Sequence, residues 1–249
     1  MTDITKTTFT AERLIKMAVC GIMAASFFLS ASAQAAGGVA LGATRVIYPQ
    51  DAKQVSLPIS NSDTRDVFLI QSWVSEANGA KSADFVITPP LFVIQPGREN
   101  LLRIMYTGKK VLPSDRESLY YLNSKSIPSG APAPGKNTLQ IATQNIIKLF
   151  VRPKNLPFRP DQAPGMLRCQ VSGNTLSVKN ASPYYVTLVQ LNVGTRVLPN
   201  TMVAPLSSAT VTIPGGSAGG NRVTFKTIND FGATSAGQQC GAYSRNDDK

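Results

Sequence analysis

Histidine does not occur anywhere in this chain of 249 residues. Its absence excludes every Ser–His–Asp and Cys–His catalytic arrangement and every zinc site built on imidazole. The stretch Gly215-Gly216-Ser217-Ala218-Gly219 fits the G-x-S-x-G pattern of a hydrolase elbow. No imidazole exists to activate Ser217, and the stretch follows Ile213-Pro214 in a glycine-rich run, so it reads as a loop. Cysteine is scarce, with three in all. Acidic residues are also few: 25 Lys and Arg face 14 Asp and Glu, a formal charge of +11. Such a balance suits nucleic acid, a membrane surface or an acidic protein partner. The cations are scattered, with no basic run beyond Lys109-Lys110 and no RNP-like or zinc-finger spacing, which speaks against nucleic acid. No stretch sustains the 3.6-residue period of an amphipathic helix. Neither a metal site nor a cofactor site is visible, and the chain is not expected to be an enzyme.

What is present begins with a basic start, Lys6, Arg13 and Lys16, ahead of the apolar run Met17 to Leu29. That run is short for the roughly 20 residues of a spanning helix. Small residues follow, with Ala33-Gln34-Ala35 fitting an A-x-A cleavage pattern. Residues 1–35 are therefore expected to be a cleaved secretory signal peptide, leaving no stable membrane insertion. Cys20 would leave with it. Only Cys169 and Cys240 remain, and export to an oxidising compartment lets such a pair bond. Two separate buried thiols are the other reading.

Beyond the signal, apolar residues alternate in short runs closed by Gly, Pro, Asn or Asp, which predicts an all-β fold of antiparallel sandwiches. Val55, Leu57 and Ile59 stop at Asn61-Ser62-Asp63, Leu101 to Tyr106 at Gly108, and Leu139 to Val151 at Arg152-Pro153. The segment 152–165 carries four prolines and predicts a stiff linker. Behind it the alternation restarts: Leu167, Cys169 and Val171, a Gly173-Asn174 turn, then Leu176 and Val178, a hairpin. The expected domains are 36–157 and 158–249.

Several stretches then become recognisable: Thr44-Arg45-Val46-Ile47-Tyr48, Thr88-Pro89-Pro90, Asp115-Arg116-Glu117-Ser118-Leu119-Tyr120-Tyr121-Leu122-Asn123, Ile147-Lys148-Leu149-Phe150-Val151-Arg152-Pro153 and Ile228-Asn229-Asp230-Phe231-Gly232. Taken in order from about Val39 to Ala242, the chain resembles the PapD-like periplasmic pilus chaperones of the chaperone–usher pathway. The short, cysteine-free loop between Leu122 and Leu139 resembles the short-loop branch of that family. The resemblance implies two immunoglobulin-like β-sandwich domains in a boomerang arrangement, location in the periplasm, and two partners, pilus subunits and an outer-membrane usher. An exported Ig-like pilin or adhesin is the alternative.

It also implies roles for particular residues. By periodicity alone Leu139 and Ile141 suit the chain's own core; the resemblance instead makes Leu139, Ile141 and Thr143 the donor strand that completes a subunit. Thr143 departs from the apolar residue usual at its place. Arg45 and Lys148 match the basic pair that holds the subunit's terminal carboxylate, although a strict period of two puts Lys148 on the face opposite Leu139. A bulge or strong twist is therefore expected between them. Glu117, Arg152 and Asp230 match an interdomain network of buried charges.

Overall fold

The computed structural model describes residues 37–129, 139–216 and 220–242. The expected signal peptide, the middle of the loop at 130–138 and Ser217 to Gly219 lie outside the described residues. Two sandwiches account for nearly all of the rest.

The first contains β1 (Val39–Leu41), β2 (Arg45–Pro49), β3 (Val55–Asn61), β4 (Phe68–Ser75), β5 (Phe85–Thr88), β6 (Leu91–Ile94), β7 (Glu99–Tyr106), β8 (Ser118–Pro128) and β9 (Thr143–Arg152). One sheet runs β1-β3-β7-β5 and the other β2-β9-β8-β4-β6. The period-two pattern explains the core between them. Leu57 and Ile59, Ile70 and Val74, Leu102 and Ile104, Tyr120 and Leu122, and Leu149 and Val151 all point inward and are buried. Phe85 packs edge-on against Tyr48, Tyr106 and Tyr120. The fully buried Tyr48 keeps its hydroxyl satisfied by donating to the Ala52 carbonyl at 2.8 Å and accepting the Tyr106 N–H at 3.0 Å.

The second contains β10 (Leu167–Ser172), β11 (Thr175–Asn180), β12 (Val186–Val193), β13 (Arg196–Val197), β14 (Thr201–Val203), β15 (Ser207–Thr212), β16 (Val223–Thr227), β17 (Gln238–Gln239) and β18 (Gly241–Ala242). Its sheets run β15-β11-β10-β18 and β13-β12-β16-β17, with β14 also on β12. The expected hairpin is β10–β11, turned at Gly173, whose φ of 55° favours glycine. On β12 the buried set Val186, Leu188, Leu191, Val193 skips a beat. A register shift between Val189 and Asn192, with Gln190 at a φ of 50°, resets the phase so that both halves face the core.

Two expectations need correction. The proline-rich segment is not linker throughout, because Pro160–Met166 forms a short 3₁₀ helix. The Gln162 side chain accepts the Arg159 N–H at 2.9 Å, and Ala163 is buried in the second core. The Tyr184 hydroxyl further ties the Phe158 carbonyl to the second sandwich. Secondly, Cys240, expected from the sequence on the last strand of the second sandwich opposite Cys169, lies elsewhere. It sits between β17, paired to β16, and β18, paired parallel to β10 in the opposite sheet. Cys169 on β10 and Cys240 are disulfide-bonded, with Cα atoms 5.8 Å apart. Among the described residues no helix is long and apolar enough to cross a membrane.

Candidate functional site

Strand β9 carries the site, and its pairing decides what each residue on it can do. Along its whole length it pairs antiparallel with β8, from Thr143 opposite Ser126 to Val151 opposite Ser118. On its other side β2 pairs with it in parallel, but only from Arg45 opposite Lys148 to Pro49 opposite Arg152. From Thr143 to Ile147 that second edge has no strand beside it among the described residues. Unpaired N–H and C=O groups on such an edge are a template for another chain.

The strand begins later than its sequence suggests. Leu139 and Ile141 precede it and are 84% and 64% exposed, so neither belongs to the chain's own core. The ladder with β8 ends at Thr143 opposite Ser126; continuing its register would set Ile141 opposite Pro128, which has no N–H to offer. No bulge or twist is needed for Lys148 either, since the registers of β9 with β8 and with β2 run unbroken. The two faces of β9 simply have different tasks. Ile147, Leu149 and Val151 face the first core, while Lys148, Phe150 and Arg152 face the second sandwich.

On that second face Arg45 and Lys148 lie side by side, both half-buried. The Arg45 guanidinium donates to the Ile228 carbonyl at 3.2 Å, and its buried Nε has no hydrogen-bond partner. The Lys148 ammonium donates to the Thr187 hydroxyl at 3.3 Å. Desolvation, and then the neighbouring Arg45, lower the Lys148 pKa; desolvation likewise lowers that of Arg45, against the pull of Asp230 and Glu117. Among the described residues neither cation has a carboxylate in salt-bridge contact. A bound carboxylate would relieve both and could take hydrogen bonds from both.

Arg152 is placed differently. Its Nε donates to Glu117 Oε1 at 2.7 Å, and its two terminal nitrogens grip both oxygens of Asp230 at 2.7 and 2.8 Å. The second Glu117 oxygen accepts the Tyr185 N–H at 2.8 Å, and the guanidinium lies 5.1 Å above the Tyr184 ring. Burial pushes the Glu117 carboxyl up against the opposing pull of Arg152. For Arg152 burial opposes the charge, but Asp230 and Glu117 outweigh it and hold the guanidinium protonated. The three charges thus join the sandwiches through one satisfied cluster. Glu117→Ala should leave Arg152 half-paired and cost about 3 kcal/mol of stability. The check is a fall in urea midpoint with an unchanged slope.

Sequence reasoning missed Thr187, the Ile228 carbonyl and the Tyr185 N–H. Two are backbone groups common to every residue type, and a lone threonine in a strand gives no signal.

The chain matches two family descriptions: "Pili and flagellar-assembly chaperone, PapD N-terminal domain" over residues 38–157 and "Pili assembly chaperone PapD, C-terminal domain" over 162–239. It is 49% identical over 207 residues to the probable fimbrial chaperone SfmC of Escherichia coli K12, covering 82% of this chain and 89% of that one. With the chaperone protein FimC of the same strain it shares 48% over 201 residues, 80% of this chain and 83% of FimC. Among solved structures it is similar to the periplasmic chaperone SfaE, with TM-score 0.72 and 45% identity over 82% of this chain and all of SfaE. A structure of the Salmonella enterica SafA pilin in complex with the SafB chaperone matches with TM-score 0.74 and 31% identity, over 83% of this chain and 97% of that one.

Proposed function

The chain belongs to the pili-assembly chaperone family, and from that premise we propose that it is a periplasmic chaperone that holds fimbrial subunits along the free edge of β9 and delivers them to an outer-membrane usher. Residues 1–35 direct its export, and residues 36–157 and 158–249 are its two domains. A subunit strand adds to the edge at Thr143 to Ile147 through main-chain hydrogen bonds. As that edge extends, Leu139 and Ile141 fall on the same face as Thr143 and fill apolar sockets in the subunit. The subunit's terminal carboxylate rests on Arg45 and Lys148 and sets the register. Binding covers a subunit surface that would otherwise pair and aggregate. The work is recognition, with no bond made or broken. A pilin or adhesin is the weaker reading, because the chain shows two sandwiches, each with its own buried core.

One observation carries this reading: among the described residues, a strand edge with no neighbour runs directly to two half-buried cations that have no carboxylate in salt-bridge contact. Arg45→Ala or Lys148→Ala should leave the chain folded but weaken subunit capture tens- to a hundredfold, since a charge-assisted hydrogen bond in a desolvated site is worth about 2–3 kcal/mol. A periplasmic pull-down of a co-expressed fimbrial subunit checks this. Full subunit yield from both single variants would refute the anchor.

A further inference from the structure

The loop after β16 crosses back to the first sandwich and is fastened there at three points. The Ile228 carbonyl takes the Arg45 guanidinium, and Asp230 takes Arg152 through two hydrogen bonds. Gly232, at a φ of 85°, abuts Thr44 so closely that a Cβ would run into the threonine hydroxyl. Within the loop the Asn229 side chain accepts the N–H groups of Phe231 and Ala233 at 3.1 and 2.9 Å. The Asn229 N–H reaches the Ala233 carbonyl at 2.9 Å, and Ile228 bridges Thr234. The backbone at Phe231 is therefore fixed on both sides, yet its ring is 93% exposed.

An exposed phenylalanine alone is unremarked on a protein surface, but this one has a particular address. Thr44 is the residue just before β2 joins β9, so the loop stands where the free edge of β9 begins. Phe231 also lines a cleft of about 480 Å³ together with Arg45, Phe150, Tyr185, Val186 and Ile228. Phe150 and Tyr185 lie against each other across the two sandwiches, with ring centroids 5.6 Å apart. The cleft also holds Arg152, paired with Glu117 and Asp230, and Arg159, paired with Asp161. Among the described residues Arg45 is thus its cation without a salt bridge, beside a wall of apolar side chains and with the Phe231 ring at the margin. A chain end that places its carboxylate on Arg45 has its last residues within reach of that wall.

We propose that Phe231 is a docking residue for the end of the bound subunit, packing against an apolar side chain close to the terminal carboxylate. This rests on the carboxylate reading of Arg45 and Lys148. A ring pre-positioned by its loop makes such a contact with little ordering cost, which is where aromatic contacts contribute most to binding. The cleft then selects subunits whose last residues are apolar over those that end in charged side chains.

The test uses the full chain and a fimbrial subunit co-expressed in the periplasm. Phe231→Ala should weaken capture about tenfold or more, as expected for losing the burial of an aromatic ring. Phe231→Leu should recover part of it. The unfolding midpoint of the free chain should not move, because the ring touches solvent. Combining Phe231→Ala with alanine at the last apolar residue of the subunit should cost less than the two single changes added together. Undiminished capture by Phe231→Ala, or strictly additive losses, overturns the proposal. Arg45→Ala separates the two ideas: if it abolishes capture while Phe231→Ala does not, only the docking role fails. If neither matters, the carboxylate reading fails first.

Discussion

Ile141→Asp should abolish subunit capture while the free chain folds as before. In the free chain this side chain is 64% exposed and lies ahead of β9, so a carboxylate there meets water and disturbs no core. In the proposed complex the same position enters an apolar socket with no hydrogen-bond partner. Burying an unpaired carboxylate costs more than about 4 kcal/mol, which is about a thousandfold in affinity or greater. Co-purification of a subunit should fall to background, and the thermal midpoint of the free chain should stay within a degree or two. A variant that unfolds would place Ile141 in the chain's own core; one that captures normally would remove it from the binding edge. Thr143→Leu is the companion. Thr143 is the first residue of β9 and is exposed, and a larger apolar side chain there should slow subunit release. An unchanged release rate would mean that this position stays outside the groove.

Removing the disulfide with Cys169→Ser and Cys240→Ser together should destabilise the second sandwich by about 4 kcal/mol. The bond joins residues 71 positions apart, so it closes almost the whole domain in the unfolded chain, and loop-closure entropy at that length gives this figure. Its position suggests where the loss would be felt. Between β17 and β18 the chain leaves one sheet for the other, and each of these strands is only two residues long. Besides the bond, the crossing itself is held by the Cys240 N–H on the Val223 carbonyl at 3.0 Å. Without the bond, β18 should fray from β10 first, seen as faster amide exchange at Arg168 and Cys169 than in β12. Alkylation of the unreduced, denatured protein should modify neither cysteine in mature protein. Two modified thiols would refute the bond, and a dimer lost on reduction would point to pairing between chains.

The strands were legible in the sequence wherever one face met a core, because alternation is forced by a backbone that turns each side chain to the opposite face. Thus Leu57 and Ile59 or Leu176 and Val178 announce themselves. Local alternation is a poor guide where the tertiary environment changes along one strand. Leu139 and Ile141 share the period of Ile147, Leu149 and Val151, yet they lie outside the strand, because the ladder on β8 ends at Thr143 and, among the described residues, no strand pairs with the other side there. On β12 the bulge at Gln190 shifts the alternation, so that a correct inward set looks out of phase in the sequence. The 3₁₀ helix at Pro160–Met166 was hidden by its prolines, which suit a linker equally well.

By itself, then, the sequence determined the all-β class, the absence of histidine chemistry, and, through its ordered motifs, the resemblance to pilus chaperones. These depend on local composition and on a period of two, which a linear chain displays directly. Only the tertiary structure decided that β2 joins β9 from Lys148 onward and, among the described residues, leaves Thr143 to Ile147 without a strand on that side. The same holds for Arg152, which gathers Glu117 and Asp230 from distant parts of the chain, and for Arg45 and Lys148, which stand together with no carboxylate in salt-bridge contact among the described residues. Residues 45 and 148, or 117 and 230, become neighbours only when sheets pair and two sandwiches meet. A charge cluster or a free edge is a property of that meeting, fixed by hydrogen-bond register and by burial across long sequence separations, and no local pattern encodes it.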